Sequence, residues 1–325
     1  MGLSSNSVAP VFVSKPFAYA VAVGALLSCL IVGCGYVGTR LARAEVGRRS
    51  VQVVVRSAAN TARLRADAID TLQVDFDHPG SWPRHALQAA AHGAALVYLV
   101  PPAEHGDGDA RLEALLDGLG EATPALLVYI STTGVYGDTG GAVVDEHTPV
   151  APANARSRRR VAAEALAASW CAARNVRCVV LRVPGIYGPH RLPLDRLRRG
   201  EPVLCPDEAG PGNRIHVDDL VAAIVAAIDR RAAQGIFNVG DGDHTSTTVY
   251  LQETARAAGL PAPALVSRAE ASQRIAPGML SFLLESRRVD NTRMRDELGV
   301  QPRYPTVQAG IRASLAEMHP EDAIS

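Results

Sequence analysis

Three glycines carry the strongest chemical signal in the chain. Gly33, Gly35 and Gly38 stand at Gly-x-Gly-x-x-Gly spacing in Cys29-Leu30-Ile31-Val32-Gly33-Cys34-Gly35-Tyr36-Val37-Gly38. An apolar run leads into them and a helix-like run, 39–46, leads out. The order is strand, tight turn, helix. A glycine at 33 lets the chain turn sharply off the strand. One at 35 lets the backbone approach a pyrophosphate, and one at 38 lets the helix pack against the strand. Tyr36 and Val37 lie inside this loop, at the helix start, where free N–H groups and the positive dipole end are available. A second apolar run, 51–55, follows the helix, and with that context the loop reads as a dinucleotide site.

The residue closing the second run is Arg56, 21 positions beyond Gly35. NAD-specific folds carry an acid at about this place, which accepts hydrogen bonds from the ribose hydroxyl. A guanidinium suits a 2′-phosphate and gains nothing special from a hydroxyl. NADP(H) is therefore expected over NAD(H), with NAD as the alternative. Further on, Asp75 either bonds the adenine amino group or caps the turn after a short strand, 71–77. Pro101 and Pro102 close a fourth strand, 94–100, and keep its end open beside the cofactor. Thr132 sits where a fifth strand, 125–130, runs into Ser131-Thr132-Thr133-Gly134-Val135-Tyr136-Gly137, and hydroxyls at the carboxyl end of a parallel strand face the ligand crevice.

These residues need strands separated by helices. Helix-like segments at 110–119 and 161–168, with further strand-like runs at 179–183 and 235–240, predict an α/β fold with a doubly wound parallel sheet. The expected order is 3-2-1-4-5-6-7.

Composition bounds the rest. The 325 residues are 47% hydrophobic and 20% charged with formal net charge zero, as in a globular protein. No broad attraction to nucleic acid or to an acidic membrane follows. Lys15 is the sole lysine, so nearly all positive charge is arginine and single arginines are weak evidence of function. Five cysteines form no CxxC pair and suggest no metal spacing; their odd number fits free thiols in a reducing, cytoplasmic compartment. Residues 1–26 read as a disordered extension. The uncharged stretch 17–32 after Lys15 looks like a secretory signal, but cleavage at Cys34 would remove the first strand, and the run is short for a membrane span.

Taken together, GCGYVG (33–38), STTGVYG (131–137), VVDEHTPVAP (143–152), LRVPGIYGP (181–189), NRIHVDDL (213–220) and FNVGD (237–241) resemble the NAD-dependent epimerase/dehydratase family. This is the extended branch of the short-chain dehydrogenase/reductases, and the GxGxxG form is similar to its atypical subgroup. The resemblance runs from about 27 to 316. It implies a dinucleotide-binding Rossmann domain over 27–183, with 213–244 returning to it. It also implies a smaller C-terminal substrate domain from 184–212 and 245–318. A small-molecule substrate would lie between the two, and many members dimerise through two helices, so a homodimer is among the expectations.

The family's chemistry rests on a Ser/Thr hydroxyl, a tyrosine and a lysine. Thr132 matches the hydroxyl. Counting back from Glu164 puts the lysine position at Arg160 and the tyrosine position at Arg156. An arginine at 160 retains charge and reach toward ribose, but one at 156 has no usable proton near neutral pH. Tyr136, Tyr187 and His216 then become candidate proton-transfer groups. Each also has an ordinary packing role, and the alternative is a protein that binds NADP(H) without turnover. Tyr187 and Arg214 are expected at the substrate, Arg214 because the family's equivalent arginine often meets a phosphate. The arginines at 156, 158, 159 and 160 either meet a phosphate or are simply solvated. Asp218 and Asp219 fit a helix start as capping acids.

Overall fold

The computed structural model describes residues 26–78, 80, 82–275, 280 and 285–318. The expected N-terminal extension lies outside the described residues, apart from Leu26.

Seven strands form one sheet: β1 (Cys29–Val32), β2 (Val51–Val55), β3 (Asp70–Gln73), β4 (Ala95–Tyr98), β5 (Leu126–Thr132), β6 (Arg177–Val183) and β7 (Gly235–Asn238). Their order is β3-β2-β1-β4-β5-β6-β7, and every pairing is parallel. This is the 3-2-1-4-5-6-7 arrangement expected from the sequence.

A parallel sheet is covered on both faces, so its strands read as continuous apolar runs. Alternation along each strand shows the two layers. Cys29 and Ile31 of β1, Ala95 and Val97 of β4, and Leu126 and Val128 of β5 enter one core. It is completed by α1 (Tyr36–Glu45), α2 (Ala58–Ala66) and a later helix. Leu30, Val32, Leu96, Tyr98, Leu127 and Tyr129 point the other way. They meet α3 (Arg84–Ala91), α4 (Ala110–Leu119) and α5 (Ala155–Ala173). The later helix on the first face is α6 (Val217–Asp229), which brings Leu220, Ile224 and Ile228. Caps set the helix starts: Asp109 accepts from the Leu112 amide at 3.1 Å and Asn154 from the Ser157 amide at 2.9 Å.

A third core gathers Tyr187, Leu192, Leu194, Leu197 and Val203 against α7 (Thr247–Ala257) and α8 (Val307–Glu317), through Tyr250, Leu251, Val307 and Ile311. Short parallel pairs, Gly185–Tyr187 with Arg214–His216 and Val203–Leu204 with Leu265–Val266, join this lobe.

One element is corrected. The third strand covers Asp70–Gln73, not 71–77. The Asp75 side chain accepts from the Asp77 amide at 3.0 Å and folds the chain into a turn. A local side chain has replaced the ladder as partner. The Trp82 indole N–H donates to the Asp75 carbonyl at 2.7 Å and pins the loop.

Candidate active site

Two clefts open at the carboxyl ends of the strands. The first has a volume of about 370 Å³ and is bounded by the glycine loop, the ends of β2 and β4, and the loop after β3. Each glycine there has a distinct physical reason. Gly33 has φ of +98°, and a Cβ on it would stand 2.9 Å from Val100 Cγ2. A Cβ on Gly38 would stand 2.4 Å from the Gly33 carbonyl oxygen, so α1 can rest on the turn only because no side chain is there. A Cβ on Gly35 would meet nothing within 4 Å. The α1 N-terminus has no side-chain cap and no acid in its first turn. Free N–H groups therefore face open space with nothing to offset the dipole, a combination that fits a pyrophosphate.

Arg56 lines this cleft at the end of β2. Its Nη1 lies 3.9 Å from Asp77 Oδ2, and its side chain is mostly exposed. Asp77 is held in turn by Arg111, through two bonds of 2.7 Å, and Arg111 also donates to the Pro101 carbonyl at 3.2 Å. Asp75 lines the cleft as well, but both of its oxygens have partners: Oδ1 accepts from the Asp77 amide, and Oδ2 meets His78 Nδ1 at 3.1 Å. Those bonds hold its carboxyl below the usual range, and the turn-capping role is the one the geometry displays. Pro101 lines the cleft and Pro102 follows it outside the lining. Tyr36 turns away: its hydroxyl donates to the Pro189 carbonyl at 2.9 Å and its ring lies under Arg191, 4.9 Å from the guanidinium carbon. Only the backbone of Tyr36 and Val37 remains for the loop.

The second cleft, about 260 Å³, lies beyond β5 and β6 and is lined by Thr133, Tyr187, Tyr250 and an unequal set of charges: Arg191, Arg196, Arg214 and Arg287 against Glu285. Glu285 pairs with Arg287 at 3.0 Å and Arg196 with Glu201 at 3.4 Å. Arg214 is almost fully buried. It donates to the Thr245 carbonyl at 2.7 Å and to Thr247 Oγ1 at 2.9 Å, and stacks over Tyr250 at 4.3 Å. Among the described residues no carboxylate lies within ion-pair distance of it. A buried guanidinium held by neutral groups keeps its charge for an anionic ligand.

Between the clefts stands Thr132, whose Oγ1 accepts from the Gly134 amide at 3.1 Å. The remaining candidates face elsewhere. The Tyr136 hydroxyl donates to Asn238 Oδ1 at 2.7 Å, with Arg182 stacked on its ring at 4.9 Å. The ring of Tyr187 lines the second cleft, but its hydroxyl is pressed onto α8, where a Cβ on Gly310 would stand 2.0 Å away. Burial raises the pKa of both phenols. His216 is the N-cap of α6: its Nδ1 accepts from the Asp218 amide at 3.2 Å, and Nε2 lies 3.2 Å from Ser314 Oγ. Burial lowers its pKa to about 4, so it is a neutral structural group. Asp218 pairs with Arg40 of α1, and Asp219 accepts from the amides of Arg303 and Tyr304.

Arg160 is also turned from the clefts. Its Nη1 donates to the Ile130 carbonyl at 2.8 Å and to the Tyr129 hydroxyl at 3.1 Å. Reaching a ribose would require leaving both. Arg156 and Arg158 are exposed at the start of α5, and Arg159 donates to the Gly106 carbonyl at 3.4 Å. Sequence reasoning missed Arg111 and Asp77 in the first cleft and Arg191, Arg196, Glu285 and Arg287 in the second. With arginine so common, only their convergence in space distinguishes them.

A model of the NAD-dependent epimerase/dehydratase family matches residues 29–240. The chain belongs to this family. The protein YeeZ of Escherichia coli K12 is 26% identical over 284 residues, 85% of this chain and 95% of that protein. A solved structure of a functionally unknown conserved protein from Silicibacter pomeroyi is 32% identical with a TM-score of 0.76, covering 90% of this chain and 99% of that one. The UDP-glucose 4-epimerase of Thermus thermophilus, solved with NAD, shares the fold at 21% identity and a TM-score of 0.71, over 89% of this chain and 98% of its own.

Asp241, in the loop after β7, is a buried acid. It is 5% exposed, its Oδ1 accepts from the Asp243 amide at 3.0 Å, and Oδ2 has no hydrogen-bond partner among the described residues. Burial raises its pKa from 3.8 to about 8, with Arg214 pulling the other way. Between those values the folded protein holds a proton that the unfolded chain has released. Its contribution to stability is therefore greatest below about pH 4 and is lost as pH rises toward about 8, at up to about 1.4 kcal/mol per unit. Urea unfolding at pH 5 and pH 7.5 should show wild type losing about 1–3 kcal/mol more than Asp241→Asn across that interval. Equal losses would mean Asp241 is ionised when folded.

Among the described residues no group of three or more His, Cys, Asp or Glu is placed to hold a metal ion, and no helix is long and apolar enough to cross a membrane.

Proposed function

We propose that the protein is an NADP(H)-dependent oxidoreductase or epimerase-type enzyme acting on a small hydroxyl or carbonyl compound that carries an anionic group, sugar derivatives included. The observation that carries this reading is the placing of two clefts at the carboxyl ends of the strands on either side of β5, which ends in Thr132, with Thr133 lining the second cleft. A glycine loop that fits a pyrophosphate lies on one side, and a cavity with surplus arginine lies on the other. Gly33, Gly35, Gly38 and the amides of Tyr36 and Val37 hold the pyrophosphate. Arg56 meets the 2′-phosphate, Asp75 lies beside the adenine, and Pro101 and Pro102 wall the nicotinamide end. Bound there, the cofactor supplies reversible hydride transfer. The Gly134 amide occupies an acceptor site of Thr132 Oγ1, which directs the hydroxyl hydrogen toward a substrate oxygen. Arg214 fixes the anionic end, and water carries the proton that the family's tyrosine would handle, so turnover is slow. The division into a dinucleotide domain and a substrate domain at 184–212 and 245–318 belongs to the same reading, as does the cytoplasm as its compartment.

A fluorescence titration with NADPH and NADH, followed by NADPH oxidation across a carbonyl panel, tests it. Micromolar NADPH binding with turnover on an anionic carbonyl supports the enzyme. Arg56→Asp should weaken NADPH at least tenfold relative to NADH; an unchanged ratio removes Arg56 from cofactor selection. A second reading, a non-catalytic NADP(H) sensor, is favoured by one observation. Arg156 is exposed, Arg160 is bonded to β5, and the Tyr136 and Tyr187 hydroxyls point into the core. Tight binding with no turnover on any compound would select it.

A further inference from the structure

The first cleft holds a charge arrangement that the glycine loop does not explain. Arg56 follows β2, Asp77 lies in the loop after β3, and Arg111 is the second residue of α4. All three line the cleft. The Arg111 guanidinium grips Asp77 at two points: Nε donates to Oδ1 and Nη2 to Oδ2, each at 2.7 Å. The same Oδ2 lies 3.9 Å from Arg56 Nη1. Among the described residues no other carboxylate pairs with either arginine. Asp75, the other acid of the lining, is taken up by the Asp77 amide and His78. One oxygen position, that of Asp77 Oδ2, is therefore within reach of two guanidiniums from different elements.

An anion held between two arginines at the wall of an open cavity marks a place where another anion fits. Two further features favour a more highly charged one. The first is α2, which begins just after Arg56. Ser57 caps it, its first turn has no acid, and Asn60 of that turn also lines the cleft. The positive end of its dipole lies at the same corner. The second is the looseness of the Asp77 pair. The Asp77 side chain is 37% exposed and that of Arg111 22%, and exposed ion pairs contribute little to stability. A phosphomonoester carries about −1.5 to −2 charges and three acceptor oxygens, where a carboxylate has one charge and two oxygens. Exchange of Asp77 for such a group loses little and gains charge. The anchors of the two residues survive the exchange: Arg111 keeps its Nη1 bond to the Pro101 carbonyl at 3.2 Å, and the Asp77 amide keeps Asp75 Oδ1 at 3.0 Å.

We propose that Arg111 and Asp77 set the choice between NADPH and NADH, Arg111 as the second arginine of a 2′-phosphate clamp and Asp77 as its internal competitor. This rests on the reading of the first cleft as a dinucleotide site. With NADPH, the 2′-phosphate takes the place of the Asp77 carboxylate between Arg56 and Arg111, and the Asp77 side chain turns out to solvent. With NADH, Asp77 keeps both arginines, and the ribose hydroxyl meets no unpaired charge. Asp77 thereby lowers the preference for NADPH that two free arginines would give.

The test titrates the full chain with NADPH, NADH, 2′,5′-ADP and 3′,5′-ADP, with thermal unfolding of each variant alongside. Asp77→Asn should bind NADPH and 2′,5′-ADP at least about fivefold more tightly than wild type, and NADH within about twofold. Arg111→Met should bind NADPH and 2′,5′-ADP at least about tenfold more weakly, with NADH again within about twofold. Adding Asp77→Asn to Arg111→Met should change NADPH affinity by less than about twofold, because the arginine that the exchange would free is gone. Four results overturn the proposal. Asp77→Asn leaves the NADPH to NADH ratio unchanged. Its gain persists without Arg111, which makes Asp77 a background charge. Arg111→Met weakens both dinucleotides equally, which makes it a pin for the Pro101 loop. Or 3′,5′-ADP gains as much as 2′,5′-ADP from Asp77→Asn, which places the phosphate elsewhere. Wild type that binds neither dinucleotide sinks the reading of the cleft and this proposal with it, whereas NADPH binding with an unmoved ratio sinks the clamp alone. Arg111→Met decides the matter even if Asp77→Asn does not fold.

Discussion

Gly35→Glu is expected to fold as stably as wild type and to bind NADPH at least a hundredfold more weakly. The two halves of that result come from the same geometry. A Cβ at 35 meets nothing within 4 Å, so the backbone has room for a side chain. The new carboxylate sits at the N-cap of α1, where an anion is stabilised by about 0.3–1 kcal/mol. It also occupies, with the same charge, the space in which a pyrophosphate would sit, and a hundredfold loss corresponds to about 2.7 kcal/mol. Gly38→Ala should behave differently. Its Cβ would stand 2.4 Å from the Gly33 carbonyl oxygen, so α1 must shift off the turn. Overpacking of this kind costs about 1–3 kcal/mol, and binding should fall together with the melting temperature. Thermal unfolding and a fluorescence titration on both variants separate the cases. A Gly35→Glu protein that binds NADPH as wild type does would show that the loop is not the cofactor site.

The glycine loop was legible in the sequence because turn, strand and helix are neighbours along the chain. The positive φ of Gly33 and the approach of Gly38 to the Gly33 carbonyl are local, whereas the crowding of Gly33 by Val100 is not. The sheet was legible for a related reason. Strands buried on both faces must be apolar throughout, as Leu30–Val32 and Leu126–Ile130 are. The end of β3 was less so, because Asp75 can extend a strand or close a turn and the choice depends on Trp82 holding its carbonyl.

Side-chain direction was not legible. Arg56 and Arg160 are the same residue type. One lies open beside the first cleft, while the other is held by a tyrosine hydroxyl and a carbonyl on β5. Tyr136 finds its partner 102 residues on, at Asn238, and the Tyr187 hydroxyl packs against Gly310 with no hydrogen-bond partner among the described residues. The arginine cavity draws on positions from 191 to 287. No local pattern joins such positions, and a chain that uses arginine for nearly every positive charge gives none of them a distinguishing composition.

Arg182→Met should cost about 3–5 kcal/mol of stability, whereas Glu164→Met combined with Arg182→Met should return most of it. Glu164 marks the helix that displays the substituted tyrosine and lysine positions, and the structure shows what it does there. Arg182 of β6 donates to Glu164 through Nη2 at 2.8 Å and Nε at 3.2 Å, and Ser131 Oγ donates to the same carboxylate. Both charged side chains are more than nine-tenths buried. Removing one partner leaves an uncompensated buried charge, which accounts for the size of the single-variant effect. Replacing both with apolar groups of similar length removes the desolvation cost along with the attraction, and such exchanges are often neutral. Urea unfolding of wild type, the single variant and the double variant measures the difference. NADPH titration of the double variant gives the second readout. Arg182 is in register with Ser131, next to Thr132, but neither Arg182 nor Glu164 lines either cleft, so affinity should stay within about twofold of wild type. Loss of binding with stability retained would mean that the pair also sets the position of Thr132 through its neighbour Ser131. A double variant as unstable as the single one would mean that Ser131 and Tyr136, left without their charged partners, account for the cost.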